Sequence, residues 1–248
     1  MHYVNTTKLM EAFVANKLPD VNKLLDEVDR ETVIRVLKRS KAGVPKAIGI
    51  TNEPVEEARF AKMAAKDKDR LNEIMQQIPQ KPRKIIAELL SLLQRYPDVP
   101  VIHNYLAIAY HYNKQEDKYV EMLYETCRKF PEYLFGKLSL CEYCLNNDNH
   151  IEIPTILDRK MEIWMHYPNE SVFHVSEVRT FYYVVGCYFA MENKLARALY
   201  HYFSLAAIGL DHPSVIGLGK NIIFKEIERL RNPIPPKKKQ VKSRHHSR

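Results

Sequence analysis

The stretch that decides the fold is residues 97–131, PDVPVIHNYLAIAYHYNKQEDKYVEMLYETCRKFP. It begins and ends on a proline, and each of these prolines follows an aromatic residue, Tyr96 or Phe130. Between them lie two runs in which apolar residues recur every three or four positions, the spacing of an amphipathic helix. Because proline cannot continue a helix, it marks the place where one helix ends and the next begins. The stretch therefore predicts a hairpin of two helices bounded by prolines.

The same aromatic–proline pair returns along the chain, as Tyr96-Pro97, Phe130-Pro131 and Tyr167-Pro168, and Pro213 follows without an aromatic partner. The first two pairs are separated by about 34 residues, the unit length of a common helical repeat, and the later spacings are longer. Such a period is the signature of a repeat protein, in which one hairpin cannot bury its own apolar face and neighbours stack to share a core. The period predicts an all-α fold in which each proline follows a helix of about 14 residues.

Residues 82–212 resemble the tetratricopeptide repeat (TPR) family, whose unit is a helix–turn–helix of about 34 residues. The clearest match is the segment 97–131. Its matching positions are His103, Leu106, Ala107 and Tyr110 on the first helix, Leu123 and Thr126 on the second, and Pro131 at the end. It departs from the family pattern at Tyr119, where a small residue is expected.

A second match begins at Tyr182, and a weaker one lies between the two. The second uses Val185, Gly186, Phe189, Ala198 and Tyr202. The weaker one uses Leu140, Cys141 and Cys144, and it contains an insertion around NNDNHIEIP. The resemblance implies an α-solenoid of antiparallel helical hairpins, and it speaks to architecture more than to activity.

The chain divides into three predicted parts. Residues 1–80 form an N-terminal helical segment, with short helices up to Leu37, a loop over SKAGVPKAIGITNEP, and a helix from Pro54 to about Ile78. Residues 81–230 form the TPR-like array, and a helix over 215–230 covers its last hairpin with one broad apolar face. Residues 231–248 form a basic tail with three prolines and few apolar residues, a composition typical of disorder.

The net charge of +8 belongs to this tail. Residues 231–248 hold seven of the 38 Lys and Arg residues and no Asp or Glu, which leaves residues 1–230 one charge from neutral. The candidate contact residues of the tail are Lys237, Lys238, Lys239, Lys242 and Arg244. They suit weak contact with nucleic acid or another acidic surface. In a eukaryotic host, the same residues resemble a short nuclear-import signal. The alternative is a solvated end without a function.

The composition excludes several classes of protein. Hydrophobic residues make up 46% and charged residues 27% of the 248, which is close to the globular average. Only 7 glycines argue against an all-β sandwich and against glycine-cradled nucleotide sites. The longest uncharged runs are shorter than a membrane span, and no secretory signal is visible near the N-terminus. We expect a cytoplasmic protein, or a nuclear one if the host is a eukaryote.

No motif predicts catalysis, a metal or a cofactor. Cys141 and Cys144 form a C-x-x-C pair, but a zinc ribbon needs two such pairs, and both residues fall on core positions of the repeat. With Cys127 and Cys187 they are expected to be reduced thiols. The chain has no HExxH motif, nucleophile elbow or phosphate loop. Among ten histidines, His111 is the one candidate for chemistry. We predict that the protein is not an enzyme.

The resemblance to TPR proteins implies a concave groove lined by the first helix of each hairpin. The groove positions are Asn104, Tyr105, Ile108, His111, Tyr112, Ser139, Glu142, Tyr183, Val184, Cys187 and Met191. Tyrosine is favoured at binding surfaces because it offers a large area and a hydroxyl at low entropic cost. The alternative is that these tyrosines pack against the flanking helices. Only Asn104 fits the clamp for a terminal carboxylate found in some TPR proteins.

The predicted function is that of a scaffold that binds a peptide or helix of another protein in this groove. The alternative is binding of nucleic acid or an acidic surface by the tail, which predicts a steep dependence on salt.

Overall fold

The computed structural model describes residues 48–53 and 58–231, together with residues 31, 33 and 35. Its helices are α1 (Ala58–Ala61), α2 (Ala65–Gln77), α3 (Pro82–Arg95), α4 (Pro100–Tyr112), α5 (Glu116–Lys129), α6 (Leu134–Asn146), α7 (Ile153–Ile156), α8 (Val175–Met191), α9 (Leu195–Ala206) and α10 (Pro213–Arg231). Two strands, β1 (Gly49–Thr51) and β2 (Val172–His174), complete the list with two 3-10 turns, His150–Glu152 and Ile163–Met165. This mostly helical content confirms the all-α prediction. The helices predicted before Glu31, and the tail beyond Arg231, lie outside the described residues.

Prolines and aromatic residues set the helix boundaries as predicted. Helices α3, α4 and α10 begin on Pro82, Pro100 and Pro213, where the missing amide proton costs nothing. Helices α3 and α5 end one residue before Tyr96 and Phe130. Phe130 is 2% exposed, so its ring anchors the turn in the core.

Most of the longer helices pack against the next helix in the sequence, and some also pack against the helix after that. Each of α2 to α5 packs against the next helix, as do α8 with α9 and α9 with α10. In addition, α4 packs against α6, α6 against α8, and α8 against α10. Gly186 lies where α8 and α10 approach closely, because a Cβ added there would lie 2.5 Å from Leu218 Cδ2. A larger residue at 186 would require the Leu218 side chain to move.

The core has two large clusters joined by a small one. The first lies among α2, α3 and α4, and includes Ile74, Leu89 and Leu106. The second lies among α6, α8, α9 and α10. The link consists of Ala107, Leu123 and Leu140, which connect α4, α5 and α6. Val33, from the N-terminal segment, is fully buried in the second cluster, so part of that segment packs onto the array.

The single full-length helix predicted before Tyr167-Pro168 is wrong. The four-residue α7 and the two 3-10 turns occupy this stretch instead. The backbone reverses at Asp158 and Arg159, which both have positive φ angles, 51° and 59°. The reversal lets Leu157 and Ile163 enter the second core cluster from a segment that is not one continuous helix.

The loop predicted over residues 40–54 contains a strand. Gly49 to Thr51 pairs in parallel with Val172 to His174, and the Gly49 amide donates to the Ser171 carbonyl at 2.6 Å. The predicted helix from Pro54 to Ile78 is also interrupted, because the backbone is extended at Ala64, between α1 and α2. Residues 54–57 lie outside the described part of the chain.

Described residues between β1 and the start of α2 contact all three aromatic–proline turns. Strand β1 pairs with β2, which follows Tyr167-Pro168. Arg59 pairs with Glu132 and lies 5.3 Å from the centre of the Phe130 ring. The Ala64 amide donates to the Tyr96 hydroxyl at 3.3 Å. These contacts connect the turns to residues that precede the first of them in the sequence.

Candidate functional site

Two adjoining cavities open on the described part of the chain. The first, which we call the acidic cavity, has a volume of about 410 Å³ and lies among α4, α5, α6 and α8. The second, which we call the apolar cavity, has a volume of about 500 Å³ and lies among α6, α8 and α10. Leu145, Asn146 and Tyr183 line both cavities. Together the cavities form one surface, which we call the groove.

Five of the eleven predicted groove residues line the groove with side chains that are exposed or half-buried. Ile108 and His111 of α4, Glu142 of α6 and Tyr183 of α8 line the acidic cavity. Met191, at the end of α8, lines the apolar cavity with Tyr183. The structure thus brings together residues from three helices that are well separated in the sequence.

Four other predicted residues line neither cavity: Asn104, Tyr105, Tyr112 and Ser139. Asn104 was predicted to be exposed but is 7% exposed, because its side-chain oxygen accepts a hydrogen bond from Ser139 at 2.9 Å and joins α4 to α6. Tyr105 is half-buried against the first core cluster, as the self-packing alternative predicts. Tyr112 is exposed beside His111, with their rings edge to face at 6.0 Å.

Two further residues that were predicted to be exposed in the groove are buried. Val184 is fully buried in the second core cluster. Cys187 is 1% exposed and lies in the floor of the apolar cavity, which Tyr183 and Asn221 also line. Both residues lie on the side of α8 that packs against neighbouring helices, so the predicted groove face was too wide.

Sequence reasoning missed the contributions of α5, of one α6 tyrosine and of α10. Glu116 and Tyr119, in the first turn of α5, line the acidic cavity with Tyr143 of α6. The sequence contained one signal for the contribution of α5. Tyr119 stands where the TPR pattern has a small residue, and a large side chain at that position opens space between the helices. Phe224 was placed on the covering face of α10, but it is 59% exposed and lines the apolar cavity.

The acidic cavity combines carboxylates with aromatic rings. Burial raises the pKa of the Glu142 carboxyl, which is half-buried. The rings of His111 and Tyr119 lie 4.9 Å apart, and those of Tyr119 and Tyr143 lie 5.8 Å apart at 82°. Burial also raises the pKa of both Tyr119 and Tyr183 to about 12, so their hydroxyls stay neutral.

His111 sits at the mouth of the acidic cavity. Its Nδ1 atom lies 3.7 Å from a Glu116 carboxylate oxygen, and both side chains are more than half exposed. The pair is open to water, and among the described residues only tyrosine hydroxyls line the cavity around it as further nucleophiles. A histidine and a carboxylate in this setting can bind a ligand through hydrogen bonds.

The thiols are arranged as core residues. Cys141 and Cys144 are buried, as predicted. Burial raises the pKa of Cys127 to about 11 and that of Cys187 to about 12, so these thiols are protonated near neutral pH and are poor nucleophiles. Across residues 48–53 and 58–231, no three His, Cys, Asp or Glu side chains come close enough together to hold a metal ion. Among the described helices, none combines the length and the apolarity that crossing a bilayer requires.

Comparisons with known proteins found no relative. No family model, no curated protein and no solved structure matches this chain. The TPR-like interpretation rests on the sequence pattern.

Proposed function

We propose that this protein is an interaction scaffold, an α-solenoid of TPR-like hairpins that binds a peptide or helix of another protein in the groove. The observation that carries the proposal is the groove itself. Its two cavities share a wall, and they collect five residues that the repeat pattern assigned to a binding surface. Each cavity has the size of a pocket that takes a large side chain or a small ligand.

The recurrence of one turn supports the solenoid. Lys114, Asp148 and Asn193 each lie two residues after the end of α4, α6 or α8, and their φ angles are 59°, 55° and 54°. A positive φ is uncommon outside glycine, so three such residues at equivalent places favour a repeated hairpin. The packing of α4 on α6, α6 on α8 and α8 on α10 is what stacked hairpins require of their first helices.

The apolar cavity supports a protein partner. The Phe224 ring is 59% exposed at its edge, and Met191, Ile223 and Ile227 lie beside it. A large exposed ring next to an apolar cavity is typical of a protein-binding surface. An amphipathic helix or an extended segment would bury this surface.

The test is affinity capture with a matched pair of variants of the full chain. Phe224→Ser removes an exposed ring from the groove, and Tyr124→Ser removes a ring of similar exposure, 53%, from α5 outside both cavities. With nuclease present, Phe224→Ser should reduce recovery of a discrete partner by about tenfold or more, as expected for loss of an aromatic anchor. Tyr124→Ser should leave recovery unchanged. Equal recovery with both variants would refute the groove as the binding site.

The charge of the tail supports a second candidate function. Seven positive charges and no negative ones within residues 231–248 favour contact with phosphates or another acidic surface. Replacing Lys237, Lys238 and Lys239 with glutamine should then lower the slope of log K against log salt by about 2 to 3 for duplex DNA. An unchanged slope would exclude the tail as the nucleic-acid contact.

A further inference from the structure

We propose that the acidic cavity is a binding site for a basic side chain, an arginine or a lysine, carried by the segment that occupies the groove. This inference rests on the proposed function, and it names the chemistry that the partner must present. Three features support it: the charges, the rings and the helix ends that surround the cavity.

The first support is an unneutralised carboxylate. Glu142 is half-buried in the wall of the cavity and has no hydrogen bond or ion pair within the described residues. Glu116 stands at the mouth, with its side chain 58% exposed. Of the described residues, no lysine or arginine lines the acidic cavity, and His111 is the single basic side chain there. A half-buried carboxylate without a partner has lost part of its hydration, and a cation placed beside it would offset that loss.

The second support is the aromatic lining, which is independent of the carboxylates. Tyr119, Tyr143 and Tyr183 all line the cavity, and each is half-buried. The faces of aromatic rings carry negative charge density and attract a cation within about 6 Å of the ring centre. Tyr119 and Tyr143 stand edge to face at 5.8 Å, so the two rings form one aromatic cluster in the wall of the cavity. Several rings beside a carboxylate form a setting that selects a cation over an anion.

The third support is the orientation of the helices. Helix α4 ends at Tyr112 and α6 ends at Asn146, and residues from the last turn of each line the cavity. The last carbonyl groups of these two helices carry a partial negative charge, which adds to that of the carboxylates. The start of α5, at Glu116, brings a partial positive charge to the same cavity, so two helix ends of negative sign face one of positive sign. An acidic partner side chain would be repelled here, and an apolar one would leave Glu142 desolvated without compensation. The distribution of charge around the cavity therefore favours binding of a basic side chain.

The test uses small probes on the full chain, so that it does not depend on capture of the partner. The probes are N-acetyl-arginine amide, N-acetyl-lysine amide and the neutral isostere N-acetyl-citrulline amide. The readout is the ring signals of Tyr119, Tyr143 and Tyr183 in ¹³C-tyrosine-labelled protein, assigned through Tyr→Phe variants. The cationic probes should shift these three signals saturably below about 50 mM, which corresponds to weak binding of a single side chain. The citrulline probe should not.

A matched pair of variants separates the site from general attraction to negative charge. Glu142→Gln removes the carboxylate of the cavity, and Glu121→Gln removes one from the exposed face of α5, outside both cavities. Glu142→Gln should weaken binding of the cationic probes at least fivefold, while Glu121→Gln leaves it unchanged. Because Glu142 is desolvated, its replacement should also leave the melting temperature unchanged or slightly raised, which a merely structural residue would not do.

Three results would overturn the inference. They are equal binding of the citrulline probe, equal weakening by Glu121→Gln, and the absence of saturable shifts over the concentration range of the titration. None of these results would contradict the proposed function. Capture of a partner that depends on Phe224 would still show that a protein binds at the apolar cavity. Loss of that capture, with the tyrosine shifts intact, would instead leave a cation site without a groove partner.

Discussion

The segments on either side of Phe130-Pro131 have similar lengths and different contents. In residues 97–131, the chain forms two full helices, α4 and α5. In residues 131–168, it forms one full helix, α6, followed by α7 and two 3-10 turns. The difference teaches that an aromatic–proline pair fixes where the chain turns but does not fix what lies between two turns.

The side chains between the pairs explain the difference. Helix α5 buries only one narrow stripe, formed by Leu123 and Thr126, and exposes most of its charged residues. A straight helix can bury this stripe and leave the charged residues in water. Residues 150–166 must bury Ile153, Leu157 and Ile163, and they carry Pro154 near their start. The backbone has positive φ angles at Asp158 and Arg159, which end the short helix and reverse the chain between Leu157 and Ile163.

The largest expected difference between the segments concerns their closing aromatic residues. Phe130 is almost fully buried and packs edge to face on His103 at 4.9 Å, whereas Tyr167 is half-buried and hydrogen-bonded to Glu177. Phe130→Ala should reduce the free energy of unfolding by about 3 to 5 kcal/mol, and Tyr167→Ala by a smaller amount. Urea denaturation of both variants measures this. An equal or larger cost at Tyr167 would mean that the irregular segment depends on its turn more than the regular one does.

The second expected difference concerns the ion pair that holds the irregular segment. Asp158 Oδ2 accepts from the nearly buried Lys137 ammonium of α6 at 2.5 Å. Asp158→Ala leaves this ammonium without its partner and should cost about 1 to 3 kcal/mol. Glu132→Ala, which breaks the exposed pair with Arg59, should cost less than about 0.5 kcal/mol. If Lys137→Met in the Asp158→Ala background restores no stability, the buried charge is not the cause.

The smallest expected effect is a pH dependence that belongs to the irregular segment and its junction with α8. Burial raises the pKa of Glu162 and of Glu177 from 4.5 to about 7. Between these values the folded state holds protons that the unfolded state has released, so both groups make stability fall as the pH rises. Replacing both with glutamine should therefore raise the melting temperature more at pH 8 than at pH 5, by about 2 to 4 °C for each kcal/mol of pH-dependent cost that the replacement removes.

The wild-type profile alone does not test this prediction. Burial lowers the pKa of His166 to about 4 and that of His201 to about 3, so these histidines make stability rise with pH up to about 6.5. The informative quantity is the difference in melting temperature between the double variant and the wild type at each pH. A difference that is constant from pH 5 to pH 8 would contradict the raised pKa values.

The sequence predicts features that depend on nearby residues and misses those that depend on distant ones. Pro82, Pro100 and Pro213 mark helix starts because the restriction is local. The strand at Gly49 was missed because its partner, Val172, lies far along the chain and neither stretch alternates in polarity. A strand this short is set by its partner and carries no pattern of its own.

The candidate site shows the same division. Ile108, His111, Glu142 and Tyr183 were predictable because each lies next to the apolar stripe of its helix in the sequence. The exposure of Phe224 could not be predicted. Periodicity identifies the apolar residues of a helix but does not show whether another element covers them.

The most direct test of the central claim, that recognition takes place in the groove, is site-specific photo-crosslinking. A benzoylphenylalanine replaces Phe224 in the full chain, and a second variant carries it at Tyr124 as the control. Both positions are exposed aromatic residues, so the probe disturbs the fold little. We predict a discrete protein crosslinked from position 224 and none from position 124. The same products from both positions, or a product from position 124 alone, would contradict the claim.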